Sequence, residues 1–237
     1  MKLRLLFFLF IGLVYSQRVV GYYPYWMQDE FQPQDLDLET FTHINHAFAW
    51  PNEEGEIEAP IGMFDASIAD HIHNNNRKFL LSLGGWGAAD GFVAATSTYE
   101  LRSVFISNIL DKFISYGYDG ADIDWEHPQT NEQRNNLTLF IAELDSVLDE
   151  FDPELLITMA LPTSNWSGQW YAMNNLNQYV DFFNAMTYDI HGSWSSHAGH
   201  NSPLYQSPPG DADGSVQTGI NYLVNTRGLP ESKVNMG

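Results

Sequence analysis

Four carboxylates fall within eight positions of the sequence, in the segment YDGADIDWEHP at residues 118–128. They are Asp119, Asp122, Asp124 and Glu126. Carboxylates held this close repel one another when ionised, so we expect at least one pKa to rise and a proton to be shared. Ion pairing is a poor alternative explanation, because the chain has 10 Lys and Arg against 30 Asp and Glu. A carboxyl group with a raised pKa is suited to act as a general acid.

The same segment has the small, apolar and aromatic residues of a buried β-strand. Side chains alternate between the two faces of a strand, so Asp122, Asp124 and Glu126 should all point one way. The residues between them should point the other way, and Trp125 is therefore expected in the core. Asp119 lies outside the alternating set, and we expect it to be a structural hydrogen-bond partner.

Hydrolysis of a glycosidic bond is a common use of a carboxylic acid with a raised pKa. The usual scheme places two carboxyl groups on opposite sides of the bond. Acids delivered by one strand approach the bond from one side only, so another nucleophile is needed. A 2-acetamido group on the substrate itself would meet that need.

The rest of the chain alternates short β-rich runs with longer helical patterns. Strands are predicted at residues 18–26, 41–50, 78–86, 118–128, 154–162 and 180–190, and another begins at 233–237. Helices are predicted at residues 61–77, 97–118, 131–151, 169–179 and 214–228. This alternation is typical of a parallel α/β fold, either a doubly wound sheet or a (β/α)8 barrel. Polar residues and glycines recur where the strands end, which favours a barrel, because a barrel's active site is built there.

The composition limits the kinds of partner. The 237 residues are enough for one large domain, and 44% of them are hydrophobic. The formal net charge of -20 argues against a nucleic acid or an anionic membrane as partner, because both would be repelled. A neutral ligand such as a sugar is compatible with that charge. The chain has no cysteine, so its core must supply the stability without disulfides.

The first sixteen residues, MKLRLLFFLFIGLVYS, have the three parts of a secretory signal peptide. Two basic residues precede an apolar run at 5–14, which is too short to span a bilayer and lacks the periodicity of an amphipathic helix. We therefore expect secretion to the extracellular space, with the mature chain beginning near Gln17. Asn136 and Asn165 lie in N-x-Ser/Thr triplets and are candidate glycosylation sites.

The acidic segment resembles the D-x-x-D-x-D-x-E signature of family 18 glycoside hydrolases, the chitinases and their relatives. Other segments resemble further motifs of that family in the same order: GYYPYW (21–26), SLGGW (82–86), MTYDIHGSW (186–194) and KVNMG (233–237). The resemblance implies a catalytic (β/α)8 TIM barrel at 17–237. About six complete βα units and the start of strand seven are present, so that domain is expected to be incomplete at its C-terminus. Substrate-assisted, retaining catalysis without a cofactor is a known property of the family.

The resemblance also implies a role for each matching residue. Glu126 would protonate the glycosidic oxygen, and Asp124 would orient the acetamido group and stabilise the oxazolinium intermediate. Asp122 would share a proton with Asp124. Tyr188 would donate its hydroxyl to the acetamide oxygen, and Asp189 would help to bind the same sugar.

Substrate binding is expected from side chains near the strand ends. Met186 would line the subsite of the reacting sugar. Aromatic rings can stack on the apolar faces of sugars, and Trp86 and Trp194 are the best candidates, with Tyr22 a further one. For Trp26, packing at the rim of the barrel is an equal alternative.

Histidines are numerous near the predicted strand ends, but no set of them has the spacing of a recognisable metal site. They are His43, His46, His127, His191, His197 and His200. We expect them to be hydrogen-bonding residues at the surface or in the core, and no metal is predicted.

Together, these features predict a secreted chitinase that hydrolyses β-1,4-linked N-acetylglucosamine polymers, with chitin or chitooligosaccharides as its partners. One alternative is a chitin-binding lectin of the same family, or an inactive fragment, although such lectins typically lack the acid present here as Glu126. The other is an endo-β-N-acetylglucosaminidase that acts on N-glycan cores. Endo or exo action, preferred chain length and oligomeric state are left open by the sequence.

Overall fold

A computed structural model describes residues 17–206 and 208–237 of the chain. The predicted signal peptide at 1–16 lies outside the described residues. The strands within them are β1 (Val20–Pro24), β2 (His43–Pro51), β3 (Ile57–Glu58), β4 (Lys78–Trp86), β5 (Gly120–Glu126), β6 (Leu156–Pro162), β7 (Phe182–Met186) and β8 (Val234–Met236). The helices are α1 (Ala66–Asn74), α2 (Ala89–Ala95), α3 (Tyr99–Tyr116), α4 (Asn131–Phe151), α5 (Asn165–Gly168), α6 (Met173–Leu176) and α7 (Val216–Asn221), which a π-helical turn continues. None of the helices in this part of the chain is long and apolar enough to cross a membrane.

Strands β1, β2, β4, β5, β6, β7 and β8 form one parallel sheet in that order, and β3 pairs antiparallel with β2. No backbone pairing joins β1 to β8 within the described residues. The sheet curls until its two ends meet through side chains. Arg18 Nε donates to Asn235 Oδ1 at 3.1 Å, and the guanidinium carbon lies 4.7 Å from the centre of the Phe182 ring. The (β/α)8 architecture is thereby confirmed, as a partial barrel of seven parallel strands.

Most of the predicted elements are confirmed, but several boundaries were wrong. The strand predicted at 180–190 ends at Met186, because the Thr187 N–H turns back and donates to the Ala185 carbonyl oxygen at 2.9 Å. Asp189, beyond this turn, has a φ of 52°, a left-handed conformation that strands do not use. The helix predicted at 169–179 is replaced by α5 and α6, since Ala172 between them departs from helical geometry at ψ 63°. Helix α2 and strand β3 were not predicted, because seven and two residues are too few to display a period.

Capping residues fix where the two long helices begin. The Thr98 side chain accepts a hydrogen bond from the Leu101 N–H at 3.2 Å, and α3 then runs to Gly117, which has a φ of 74°. The Thr130 side chain accepts from the Gln133 N–H at 3.1 Å and starts α4 in the same way. Such caps contribute about 0.5–2 kcal/mol each. Because α3 precedes β5 and α4 follows it, the caps limit where the acidic strand can lie.

The apolar core lies between the outer face of the sheet and the helices. Trp125 of β5 is buried there, and its ring stacks on Phe92 of α2 with the centroids 5.3 Å apart. Phe105 of α3 stacks on Phe140 of α4 at 4.8 Å. Burying a side chain of this size contributes about 1.5–3 kcal/mol. The prediction for Trp125 is confirmed, and its outward orientation directs the neighbouring Asp124 into the barrel.

Asp119 connects the start of β5 to the elements beside it, as the sequence predicted. Its carboxylate accepts hydrogen bonds from the Phe79 N–H at 2.8 Å and from Lys78 Nζ at 3.0 Å, both on β4. Nε2 of His73, on α1, lies 2.8 Å from the same carboxylate. Asp119 therefore stabilises the amino end of the sheet, away from the edge at which the other three acids accumulate.

Candidate active site

Asp122 lies on the inner face of β5, and the register places Ser82 of β4 and Thr158 of β6 on either side of it. The Ser82 hydroxyl donates to Oδ2 at 2.8 Å, and the Thr158 hydroxyl donates to Oδ1 at 2.6 Å. Tyr22 of β1 donates its hydroxyl to Oδ2 at 2.8 Å, and Asn184 Nδ2 of β7 donates to Oδ1 at 3.2 Å. Each oxygen of this carboxylate thus receives two donors, which fills its accepting capacity.

Two opposing effects act on the charge of Asp122. Burial raises the pKa of Asp122 above its usual value, and the four hydrogen bonds oppose the rise because they favour the ionised form. Since donors occupy both oxygens, Asp122 makes no hydrogen bond to Asp124 in the described part of the chain. The proton sharing expected between the two carboxyl groups stays a prediction.

Asp124 is also buried, but its Oδ1 has no hydrogen-bond partner among the described residues. Burial raises the pKa of Asp124 well above its usual value, and the nearby Glu126 and Asp122 raise it further. Leaving a buried polar atom unpaired costs free energy, so Oδ1 is placed to take a hydrogen bond from a ligand. Gly84 of β4 permits this position: its φ is 123°, and a Cβ there would lie 2.1 Å from the Asp124 carbonyl oxygen.

Glu126 ends β5 at the carboxyl edge of the sheet, and it alone of the three inward acids lines a cleft of about 580 Å³. The peptide bond to His127 is cis. Burial raises the pKa of Glu126, and the charge of Asp189 raises it further. The half-buried carboxyl group therefore keeps its proton to a higher pH than an exposed glutamate, as a general acid must.

Tyr188 and Asp189 follow β7 and face the acids of β5. Burial raises the pKa of Tyr188, and the charges of Asp124 and Glu126 raise it further, so its hydroxyl remains a hydrogen-bond donor. Asp189 Oδ1 accepts a hydrogen bond from Asn201 Nδ2 at 2.7 Å. The fold thus brings together the five residues expected to carry the chemistry from strand β5 and from the loop after β7.

Tyr22 and Met186 lie on the inner wall of the barrel. The Tyr22 hydroxyl is already engaged by Asp122, and its ring, with that of Tyr188, lines an opening of about 820 Å³ between β1 and β8. Met186 is half-buried at the end of β7, where its carbonyl oxygen accepts from the Thr163 hydroxyl at 3.2 Å. Stacking of a sugar on Tyr22 and contact of a sugar with Met186 both stay predictions.

Exposed tryptophans line the cleft beside Glu126. Trp86 is 77% exposed and Trp166 is 68% exposed, and Trp170 completes the aromatic lining. The sequence reasoning missed Trp166 and Trp170, although two tryptophans four positions apart, directly after a predicted strand, were the available signal. Trp194, also 68% exposed, lies in the loop after β7 and is absent from the lining of this cleft. Its role as a sugar platform stays a prediction.

Four of the six histidines named in the sequence analysis fall into two groups. His43 and His46 lie on β2, and burial lowers the pKa of each to about 4. His46 Nδ1 is 2.8 Å from the Tyr118 hydroxyl, which confirms the expectation of core hydrogen bonding. His191 and His197 were expected to be hydrogen-bonding residues outside any metal site, and the loop after β7 brings their rings to a centroid distance of 5.2 Å.

Comparison with known proteins relates this arrangement to a family. A sequence model of glycosyl hydrolases family 18 matches residues 18–237. "Chitinase 1" of Aphanocladium album is 28% identical over 241 aligned residues, which cover 87% of this chain and 56% of the relative.

Two solved structures have the same fold. The Group IV chitinase of Ostrinia furnacalis in complex with allosamidin has a TM-score of 0.84 at 28% identity, over 93% of this chain and 65% of that one. Catalytic domain 2 of the Group II chitinase from the same organism, a mutant in complex with (NAG)5, has a TM-score of 0.83 at 26% identity, over 92% of this chain and 62% of that one. The chain therefore spans little more than half the length of the curated relative and less than two thirds of either structure.

Proposed function

Because this chain belongs to glycosyl hydrolase family 18, we propose that it is a retaining chitinase that cleaves β-1,4-linked N-acetylglucosamine polymers with the help of the substrate's own acetamido group. The observation that carries the proposal is the row of acids on β5. Its outermost member, Glu126, opens to an aromatic cleft, and its middle member, Asp124, has a buried oxygen without a partner.

Glu126 donates its proton to the glycosidic oxygen as the bond to C1 breaks. The raised pKa of Glu126 keeps that proton available at a higher pH than an exposed glutamate would allow. The acetamide oxygen of the same sugar attacks C1 from the opposite face and forms an oxazolinium ion. Water, deprotonated by the Glu126 carboxylate, then attacks C1, so two inversions give net retention.

Asp124 accepts the acetamide N–H through the oxygen that lacks a protein partner. This hydrogen bond orients the nucleophile. Positive charge that develops on the oxazolinium ring favours the ionised form of Asp124, whose negative charge then stabilises the ring. Asp122 lies next to Asp124 on the inner face of β5, and its four donors hold it in place there. Tyr188 donates its hydroxyl to the acetamide oxygen, and Asp189 contacts the same sugar.

Sugar units on either side of the cleaved bond stack on the exposed tryptophans. Trp86, Trp166 and Trp170 give the cleft flat apolar walls next to Glu126, which suits the C–H faces of pyranose rings. A neutral polymer also avoids the repulsion that the net charge of -20 would impose on an anionic one. We further infer that residues 1–16 direct export and that 17–237 form the catalytic region, which places the enzyme where chitin would be found.

Release of a fluorophore from a chitobiose or chitotriose glycoside tests the proposal. We expect Glu126→Gln to lose about 10²–10⁴-fold in kcat/KM, because the amide cannot protonate the leaving group. Glu154→Gln is the matched control, since Glu154 is exposed in the turn before β6, and it should retain full activity. Chitooligosaccharide binding without fluorophore release by the wild type would refute hydrolysis and identify a lectin. Equal activity of both variants would refute the assignment of Glu126.

A further inference from the structure

The loop between β7 and α7 gathers four side chains that the proposed sugar chemistry does not use. His191, His197, Asp211 and Asp213 each offer one nitrogen or oxygen atom, and these atoms all lie within 4.8 Å of one another. His191 is 7% exposed and Asp211 is 6% exposed, whereas the other two face solvent. The cluster is therefore anchored on one buried imidazole and one buried carboxylate.

The hydrogen bonding of His191 sets which of its ring nitrogens carries a proton. Its Nδ1 is 2.8 Å from the carbonyl oxygen of His200, and a carbonyl can only accept, so Nδ1 must carry the hydrogen. In the neutral ring, Nε2 then has a lone pair. That lone pair faces Asp211 Oδ2, another acceptor, at 3.0 Å. Either a second proton on His191 or a cation beside both atoms is needed to make this contact favourable.

The packing around His191 holds the ring in this orientation. A Cβ at Gly199 would lie 2.3 Å from His191 Cδ2, so the loop backbone comes into direct contact with the ring. A histidine whose outer nitrogen is fixed by a backbone carbonyl is the usual arrangement of a metal-binding histidine. His191 therefore presents Nε2 to the cluster in the form that binds a metal ion.

Three of the six distances between the four ligand atoms are close to those around a small tetrahedral ion. Metal–ligand distances of about 2.0–2.2 Å place the corners of a tetrahedron about 3.3–3.6 Å apart. Here Asp211 Oδ2 lies 3.0 Å from His191 Nε2 and 3.1 Å from His197 Nε2, and Asp213 Oδ2 lies 3.8 Å from His191 Nε2. Asp211 Oδ1 already accepts from the Asp213 N–H at 3.0 Å, which leaves Oδ2 as the oxygen free to bind.

We propose that His191, His197, Asp211 and Asp213 bind one Zn²⁺ ion. Two imidazole nitrogens and two carboxylate oxygens favour Zn²⁺ over Ca²⁺ or Mg²⁺, which take oxygen ligands almost exclusively. The two aspartates balance the charge of the ion. With four protein ligands, the site has the closed coordination of a structural zinc and no open position for chemistry.

The position of the site indicates that the zinc would stabilise the loop after β7. The ion would join three points of one loop, at 191, 197 and 211–213, just after Tyr188 and Asp189. Trp194 lies in the turn between the two histidine ligands. Zinc binding would therefore fix the conformation of the loop after β7 that carries this exposed indole.

Metal binding can be measured directly, without any reference to hydrolysis. The purified protein is stripped with a chelator, and Zn²⁺ is titrated in competition with a chromophoric indicator. We expect one tight site per chain and a rise in Tm with Zn²⁺ that neither Mg²⁺ nor Ca²⁺ reproduces. Co²⁺ in the same site should give the visible absorption of a tetrahedral complex.

Variants of the loop locate the ion. His197→Gln removes a half-exposed ligand. Replacing a residue that only hydrogen-bonds to a metal ligand weakens metal binding by about 10–100-fold, and the loss of the ligand itself should weaken zinc binding by more than that. Asp213→Asn, also at the surface, provides a second test if His197→Gln folds poorly. His200→Gln is the matched control, because it removes an exposed imidazole from the same loop but keeps the carbonyl that orients His191.

The outcomes distinguish a zinc site from a cluster that is held together by hydrogen bonds and ion pairs alone. Weaker binding in His197→Gln or Asp213→Asn, with His200→Gln like the wild type, supports the site. Absence of zinc binding by the wild type, or equal binding by all of these variants, would overturn it. The contact between His191 and Asp211 would then be an imidazolium–carboxylate pair.

Discussion

Replacing Thr158 with valine would remove one of the four donors to Asp122 while keeping the shape of the side chain. The hydroxyl donates to Oδ1 at 2.6 Å, and both residues are fully buried. A hydrogen bond to a buried charge is worth about 1.5–3 kcal/mol, whereas one to a neutral group is worth about 0.5–1.5 kcal/mol. The cost of Thr158→Val should therefore depend on whether Asp122 is ionised.

The direction of the pH dependence follows from the raised pKa of Asp122. Losing a donor to the ionised form raises this pKa further, by about one unit for every 1.4 kcal/mol by which the ionised form is destabilised more than the protonated form. At pH values below the folded-state pKa, Asp122 is protonated in both proteins, and Thr158→Val should cost only about 0.5–1.5 kcal/mol. As the pH rises through that pKa, the cost should grow to about 1.5–3 kcal/mol, because the variant must bury the same charge with one donor fewer.

Urea unfolding at pH 4 and pH 8 measures this difference from the transition midpoints of the two proteins. Thr96→Val is the matched control. Thr96 is equally buried, but its hydroxyl donates at 2.8 Å to the neutral carbonyl of Phe92, so its cost should not change with pH. If Thr158→Val costs the same at both pH values, or its cost changes with pH as little as that of Thr96→Val, then Asp122 does not ionise between them and the expected pH dependence is refuted.

Two further predictions concern the proposed reaction. Asp189→Asn removes a charge that raises the pKa of Glu126, so that pKa should fall. The alkaline limb of the pH profile of kcat/KM should then move to lower pH. A limb that stays in place or moves to higher pH contradicts the electrostatic coupling. Trp166→Ala should raise KM for longer chitooligosaccharides about fivefold, for about 1 kcal/mol of lost stacking. Phe151→Ala, which removes an exposed aromatic ring at the C-terminal end of α4, serves as control. Equal effects of the two aromatic substitutions would argue against a platform at Trp166.

The orientation of the acidic strand could be predicted from the sequence because it depends on local geometry alone. Alternation with a period of two requires Trp125 to point outward if Asp122 and Asp124 point inward. The parallel α/β fold could be predicted from the alternation of strands and helices, and the resemblance to a family assigned roles to Tyr188 and Asp189.

The partners of Asp122 could not be predicted, because they depend on strand register and on the curl of the sheet. Tyr22, Ser82, Thr158 and Asn184 come from four strands, and their spacing in the chain has no period that a sequence pattern could reveal. The cluster around His191 was missed for a related reason. Its members lie in an irregular loop, whose conformation is set by individual turns and close contacts.

The donors of Asp122 also make this carboxylate sensitive to how far the chain has folded. Thr158 and Ser82 are 36 and 40 residues away from it, Asn184 is 62 away, and Tyr22 is 100 away. Contacts between residues so distant in sequence form late, because long loops must close first. A half-assembled barrel would thus bury the Asp122 carboxyl group with too few donors, which raises its free energy relative to that of the complete barrel. The polar interior that serves the reaction thereby makes folding of the sheet more nearly all-or-none.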